Sequence, residues 1–188
     1  MTARRRAPAD PAGLRIYLGH GASGTAASMQ PFVSGLRKRG LAAEAVDLPK
    51  RKAEDAVPAW RAAVPDGAGT VSGGHSYGGR VASLAAAAGG DYAGLVLFSY
   101  PVHPPGRQER AEGRVAHFPE IACPVLLLSG ESDPFANLDL LRAAVTTLPN
   151  ATLVTYPRLG HSLRPVLDDV LDRVRAFIEA LPPAPTPR

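Results

Sequence analysis

The stretch Thr70-Val71-Ser72-Gly73-Gly74-His75-Ser76-Tyr77-Gly78-Gly79-Arg80 leaves the backbone very few courses. Thr70 to Ser72 has the composition of a buried strand end. From Arg80 the sequence is alanine-rich and helix-forming through Ala88, and Gly89-Gly90 stops it. Between the two stands Gly74-x-Ser76-x-Gly78. A turn that joins strand to helix this sharply holds its central residue in a strained conformation. Side chains on either flank would collide, so glycine is needed at both. Such a turn lifts the Ser76 hydroxyl clear of the sheet and aims the free N–H groups of the helix at any anion forming there. The pentapeptide alone is a weak signal, because a chain with 19 glycines can form a glycine-rich turn that does no chemistry. Its weight comes from the strand before it and the helix after it.

The same alternation runs along the chain. Apolar runs predict strands at Leu14 to Leu18, Ala42 to Leu48, Gly69 to Gly73, Gly94 to Ser99, Pro124 to Ser129 and Ala151 to Tyr156. Helical spacing predicts helices over Met29 to Leu36 behind Ser28 as cap, Glu54 to Val64 interrupted by Pro58, Arg80 to Ala88, Ala136 to Leu148 and Pro165 to Leu181. Tyr100 to Phe118 is a Pro- and Arg-rich connection with no clear period. The strands are continuous apolar runs, as expected when both sheet faces are covered. The reading is therefore an α/β fold: a three-layer α/β/α sandwich on a mainly parallel, six-stranded sheet with right-handed crossovers. Residues 14–181 form one domain, and the Pro-rich segments 1–13 and 182–188 are expected to be flexible tails.

Composition narrows the function classes. The chain has 188 residues, 45% hydrophobic and 20% charged, with no apolar run long enough for a transmembrane helix. Its N-terminus is basic but carries no apolar stretch of a secretory leader, so a cytoplasmic location is expected. The single cysteine, Cys123, excludes an internal disulfide and a multi-cysteine metal site, and it reads as core packing. The net charge of +4 comes with short basic clusters, Arg4–Arg6 and Arg37-Lys38-Arg39, that lack interleaved aromatics. They read as solvated surface, so neither a nucleic acid nor a membrane is an expected partner. A small-molecule acyl substrate is expected, a protein partner is left open, and no cofactor or metal is called for.

In parallel sheets of this kind a ligand sits beyond the carboxyl ends of the strands. Ser76 follows the third strand, Gly130-Glu131-Ser132-Asp133-Pro134 the fifth, and Leu159-Gly160-His161-Ser162 the sixth. A serine hydroxyl is a poor nucleophile until a base takes its proton; His161 can do so and later return it to the leaving group. A carboxylate at Asp133 would fix the imidazole tautomer and stabilise the imidazolium. The plainer reading of Asp133 is a helix cap, with Glu131 and Asp139 as substitute acids. His161 can equally be read as a surface histidine, and His75 as part of the elbow packing. The first glycine loop, His20-Gly21-Ala22, lies beside the elbow. The backbone N–H groups of Ala22 and Tyr77 are the candidate oxyanion hole, and the loop lacks the spacing of a nucleotide-binding motif. His20, Tyr100, Val102 and His103 are the candidate substrate-binding residues; His117 is not assigned to the site.

With these residues in hand the chain resembles an α/β-hydrolase. More narrowly, it resembles the small dienelactone-hydrolase-like branch that takes in testis-expressed protein thirty and a hydrolase-like subunit of the nonspecific-lethal acetyltransferase complex. The resemblance rests on Gly19-His20-Gly21-Ala22-Ser23-Gly24, Gly73 to Arg80, Ser99-Tyr100-Pro101-Val102-His103-Pro104-Pro105-Gly106, and Gly130-Glu131-Ser132-Asp133-Pro134-Phe135. It implies a minimal α/β-hydrolase fold without a lid domain and a Ser76–His161–Asp133 triad. The chain departs from larger relatives in having too few residues before Leu14 for two leading strands. A shallow, open pocket and a small ester or thioester substrate are therefore expected. The competing expectation is a non-catalytic interaction module that keeps the fold.

Overall fold

A computed structural model of the chain describes residues 13–183; most of both predicted tails lies outside the described residues. Six strands, β1 (Arg15–Gly19), β2 (Ala42–Val46), β3 (Gly67–His75), β4 (Tyr92–Phe98), β5 (Val125–Gly130) and β6 (Ala151–Tyr156), form one sheet in the order β2-β1-β3-β4-β5-β6. Every neighbouring pair is parallel. The helices are α1 (Gln30–Lys38), α2 (Ala53–Ala63), α3 (Tyr77–Ala87), α4 (Ala111–Val115), α5 (Leu138–Val145) and α6 (Leu167–Ala180).

The apolar strand runs divide between two cores. On β4, Leu95 and Leu97 face one side with Trp60 of α2, Val81 of α3 and Leu141 of α5, while Val96 and Phe98 face the other with Phe32 of α1 and Leu171 of α6. On β5, Val125 and Leu127 go to the first core and Leu126 and Leu128 to the second. Strands with both faces buried have no polar face to alternate with, which is why they read as unbroken apolar runs.

Three local readings differ from the sequence expectation. β3 runs on through His75 and α3 begins at Tyr77, so the turn consists of Ser76 alone. Pro58 lies inside α2 without breaking it, because Ala53, Ala56 and Trp60 bury the helix face on both sides of the lost hydrogen bond. Ser28 does not cap α1; its hydroxyl donates to Thr25 O in a 3-10 turn, and α1 starts at Gln30 with Pro31 in its first turn.

The connection from β4 to β5 is packed down rather than raised as a lid. Tyr100 is buried with its ring 5.1 Å from that of Phe118, and its hydroxyl lies 3.3 Å from Ser83 Oγ. Ser83 Oγ donates to Arg80 O at 2.8 Å, so the 2.8 Å contact with His117 Nε2 has the imidazole donating to the serine. Val102 is fully buried in the first core. His103 is 2% exposed; its Nε2 accepts from Asn137 N at 2.9 Å, leaving Nδ1–H to donate to Pro104 O at 2.8 Å. The expectation that Tyr100, Val102 and His103 bind substrate is thus corrected. Tyr100 and Val102 are core side chains, and His103 ties the connection to the loop after β5 with both ring nitrogens occupied.

Two predictions follow from this packing. A Cβ on Gly78 would strike the backbone of Gly19, whereas one on Gly35 would meet only the side chain of Leu171, a buried core residue whose Cδ1 methyl would have to give. Gly78→Ala should cost about 3 kcal/mol, the upper end for overpacking, while Gly35→Ala should cost less, because a side chain can shift where backbone cannot and the helix gains about 1 kcal/mol from alanine. Equilibrium urea unfolding of the two variants measures the contrast. Burial, reinforced by Arg80, depresses the His117 imidazole to about 4 from an ordinary 6.5. The unfolded chain then binds a proton that the folded chain refuses, so this residue's stabilisation is complete above about pH 6.5 and is lost as pH falls toward about 4. His117→Gln should flatten that part of the stability-versus-pH curve, measured by urea midpoints.

Candidate active site

The site is built at the carboxyl ends of β1, β3, β5 and β6. Ser76 holds φ 51° and ψ −110°, a conformation that a side-chain-bearing residue keeps only when its surroundings impose it. They do so through backbone contacts: Ser76 N donates to Phe98 O and Gly78 N to His20 O, each at 2.9 Å. Gly74 (φ 153°) packs its Cα against the Gly19 backbone.

Asp133 sits in the loop after β5 with its side chain fully buried. Its Oδ1 accepts from Phe135 N at 2.8 Å, and its Oδ2 lies 2.7 Å from His161 Nδ1. Oδ2 can only accept from the imidazole, so Nδ1 carries the proton. Nε2 is then free to accept from Ser76 Oγ, 2.8 Å away. Asp133, His161 and Ser76 therefore form one continuous hydrogen-bonded chain from a buried carboxylate to a hydroxyl at the cleft. The cap of α5 falls to Asn137, whose side chain accepts from Asp139 N and Leu140 N, so Asp133 is not spent on capping. Of the substitute acids, Glu131 accepts from Thr155 Oγ1 and Asp139 faces Arg142.

Two aromatic rings hold His161. Phe135 lies against it at 4.4 Å between ring centroids and 36° between planes. His75, on the other side at 5.0 Å, has Nε2 2.9 Å from the carbonyl oxygen of His161 itself, and this nitrogen donates. Burial lowers the pKa of His75, and the hydrogen bond to the His161 carbonyl works against that shift without cancelling it. The sequence reading placed His75 in the elbow packing and missed this link. Phe135 was not singled out either, although an aromatic residue directly after Asp133-Pro134 is a signal that could have found it.

A cleft of about 610 Å³ opens in front of Ser76, with Ala22 and Tyr77 in its lining. Among the described residues, neither the Ala22 nor the Tyr77 N–H has a protein acceptor. Tyr77 turns its hydroxyl away to donate to Pro49 O at 2.8 Å, which fixes the wall behind its amide. A second cleft of about 450 Å³, floored by Met29 and Phe32, lies on the far side of His161. His20, expected to bind substrate, lines neither cleft. It is 2% exposed, accepts from Leu48 N through Nε2 at 3.0 Å, and donates through Nδ1 to Gly21 O at 2.7 Å, so it orders the first loop. Among the described residues no three His, Cys, Asp or Glu side chains converge as a metal-ion site, and no helix is long and apolar enough to cross a membrane.

Comparison with known proteins agrees with this architecture. The fold matches that of Est1E from Butyrivibrio proteoclasticus, solved with ferulic acid, at a TM-score of 0.73 and 18% identity over 93% of this chain and 92% of that one. It matches a monoacylglycerol lipase of Paleococcus ferrophilus at 0.74 and 16% identity, over 91% and 95%. It matches esterase 2 of Thermogutta terrifontis, solved after phosphorylation by paraoxon, at 0.72 and 20% identity, over 94% and 87%. No curated protein matches the chain in sequence. The sequence pattern of the alpha/beta hydrolase domain matches residues 14–174. With that match across the sheet and the elbow, the chain belongs to the alpha/beta hydrolase family.

Proposed function

We propose that this protein is a serine hydrolase that cleaves an ester or thioester acyl bond through an acyl-enzyme intermediate, and that it falls in the small dienelactone-hydrolase-like branch of its family. The observation that carries the reading is the unbroken pair of hydrogen bonds, Asp133 Oδ2 to His161 Nδ1 and His161 Nε2 to Ser76 Oγ. The branch assignment is supported by the proline-rich Tyr100 to Gly106 segment and by the short connection between β4 and β5.

The chemistry follows from the geometry. Ser76 Oγ attacks the acyl carbon while its proton passes to His161 Nε2. Asp133 stabilises the imidazolium by accepting from Nδ1–H, its other oxygen being held by Phe135 N. The negative charge on the former carbonyl oxygen is met by the N–H groups of Ala22, in the loop after β1, and of Tyr77, at the head of α3, where the helix dipole adds to it. The imidazolium protonates the leaving oxygen or sulfur, and a water molecule, activated by the same imidazole, releases the acyl group. No step calls for a cofactor.

Ser76→Ala should abolish labelling by a fluorophosphonate probe and lower turnover of p-nitrophenyl esters by roughly three to six orders of magnitude. Asp133→Asn should lower it about 10⁴-fold, because an amide can hold the imidazole in the wrong tautomer. Mass spectrometry of the labelled peptide and steady-state kinetics measure both. An unlabelled Ser76 in the folded parent would reject the reading and leave an interaction module on the same fold.

A further inference from the structure

The cleft in front of Ser76 is lined by far more positive charge than its own residues neutralise. Five cations face it: Arg51 and Lys52 before α2, Arg80 on α3, and Arg110 and Arg114 at α4. One carboxylate, Glu54, shares the lining, and it is committed to Arg80, with Oε1 2.6 Å from Nη2. Among the described residues, none of Arg51, Lys52, Arg110 and Arg114 has a carboxylate within the 4.0 Å of an ion pair. Elsewhere most of the described arginines face an acid, as Arg15, Arg39, Arg61, Arg107, Arg142, Arg173 and Arg175 do, while Arg37, Arg158 and Arg164 stand singly at separate places on the surface.

Two of the cations, Arg80 and Arg114, are held in place, while Arg51, Lys52 and Arg110 are exposed. Arg80 is 8% exposed, and its Nη1 donates to Arg114 O at 2.5 Å, so one guanidinium orders the residue that carries the next. Arg114 is half-buried and donates to Pro101 O at 3.4 Å. Burial and the nearby Arg80 charge both lower its pKa, the mark of a cation short of counter-charge. Pro101, Pro104, Pro105 and Phe135 give the same cleft an apolar wall between the nucleophile and the arginines. A cleft that combines two fixed, recessed guanidinium groups with three exposed cations and an apolar wall suits a small anion at the end of a short apolar spacer better than a polymer, which would need its charges on an open face.

We infer that the substrate is an anionic ester or thioester: one arm ends in an oxyanion, a carboxylate or a phosphoryl group, which the cations around Arg110 and Arg114 bind while the acyl carbon lies at Ser76. The inference rests on the serine-hydrolase reading and deepens it. The reaction balance is that of hydrolysis, with the anion unchanged and serving only to position the ester.

The test uses matched ester pairs on the full chain. On the acyl side, the mono-p-nitrophenyl ester of adipate and the p-nitrophenyl ester of 5-phosphonopentanoate are compared with p-nitrophenyl hexanoate. On the leaving-group side, 4-acetoxybenzoate is compared with 4-acetoxytoluene. In at least one pair the anionic ester should be favoured by about tenfold or more in kcat/KM, chiefly through KM, and high salt should erode the preference. The carboxylate and phosphonate arms show which oxyanion is read. In the Arg51→Gln/Arg110→Gln double variant, which changes two exposed side chains, the anionic-to-neutral ratio should fall about tenfold. Arg114→Gln, with its fold checked by urea unfolding, should lower the same ratio. Equal or greater turnover of the neutral ester in both pairs overturns the inference while leaving the hydrolase reading intact. So does a preference that survives all three substitutions. Loss of fluorophosphonate labelling at Ser76 in the folded parent overturns the hydrolase reading itself, and this inference with it.

Discussion

The contact on which the site depends is backbone against backbone. Gly19, at the end of β1, lies against Gly74 and Gly78 so closely that a Cβ on either would overlap its main-chain atoms. That approach lets Gly78 N reach His20 O and lets Ser76 N reach Phe98 O on the opposite neighbour of β3. The first loop and the Ser76 turn are therefore set by the sheet itself. The spacing between the Ala22 and Tyr77 amides is inherited from strand register, Gly19 paired with Gly74, rather than from flexible side chains. A pair of donors fixed in this way has little reorganisation to undergo when charge develops between them.

Asp133 and His161 are secured by the same device on the other half of the sheet. Gly130, the last residue of β5, packs its Cα against the Leu159 and Gly160 carbonyls, and Ser132 N donates to Leu159 O at 2.8 Å. The two loops that carry Asp133 and His161 are thereby one backbone unit. His75 then joins this unit to the elbow strand through its bond to the His161 carbonyl. Three loops from distant parts of the chain are held by glycine contacts and main-chain hydrogen bonds. The side chains they present need only local rotamer control, which Phe135 supplies for the imidazole.

What the sequence made legible follows from this. The buried strands were readable because burial on both faces leaves an unambiguous apolar run, and the residues after β3, β5 and β6 could be proposed as site members because topology places strand ends together. The detail of α3 starting at Tyr77, rather than at Arg80, was hidden because Gly78 and Gly79 are poor helix formers, placed here by close approach to the Gly19 backbone and to the Gly74 carbonyl. The assignments of His20, Tyr100, Val102 and His103 to substrate failed for one shared reason. Each lies close to the rim along the chain, but its orientation is decided by a partner far away in sequence: Leu48 for His20, Ser83 for Tyr100, Asn137 for His103, the first core for Val102. The cleft cations were missed for the converse reason. Arg51, Arg80, Arg110 and Arg114 come from three segments, and only the fold brings them to one cleft.

The orientation of His75 bears on how the proposed base can work. If His161 takes up a proton during the proposed reaction, a second imidazolium with its ring 5.0 Å away would oppose that charge. Desolvation lowers the His75 pKa and so disfavours that second charge, and its Nε2–H is aimed at the His161 carbonyl rather than at the His161 ring. Gly21 closes over Nδ1, where an added Cβ would stand 3.0 Å away, so the ring is confined in that orientation. The residue next to Ser76 thus steadies His161 through its backbone carbonyl, while partial burial disfavours a charge on its own ring. A histidine held in this way serves as a positioning group for the proposed base.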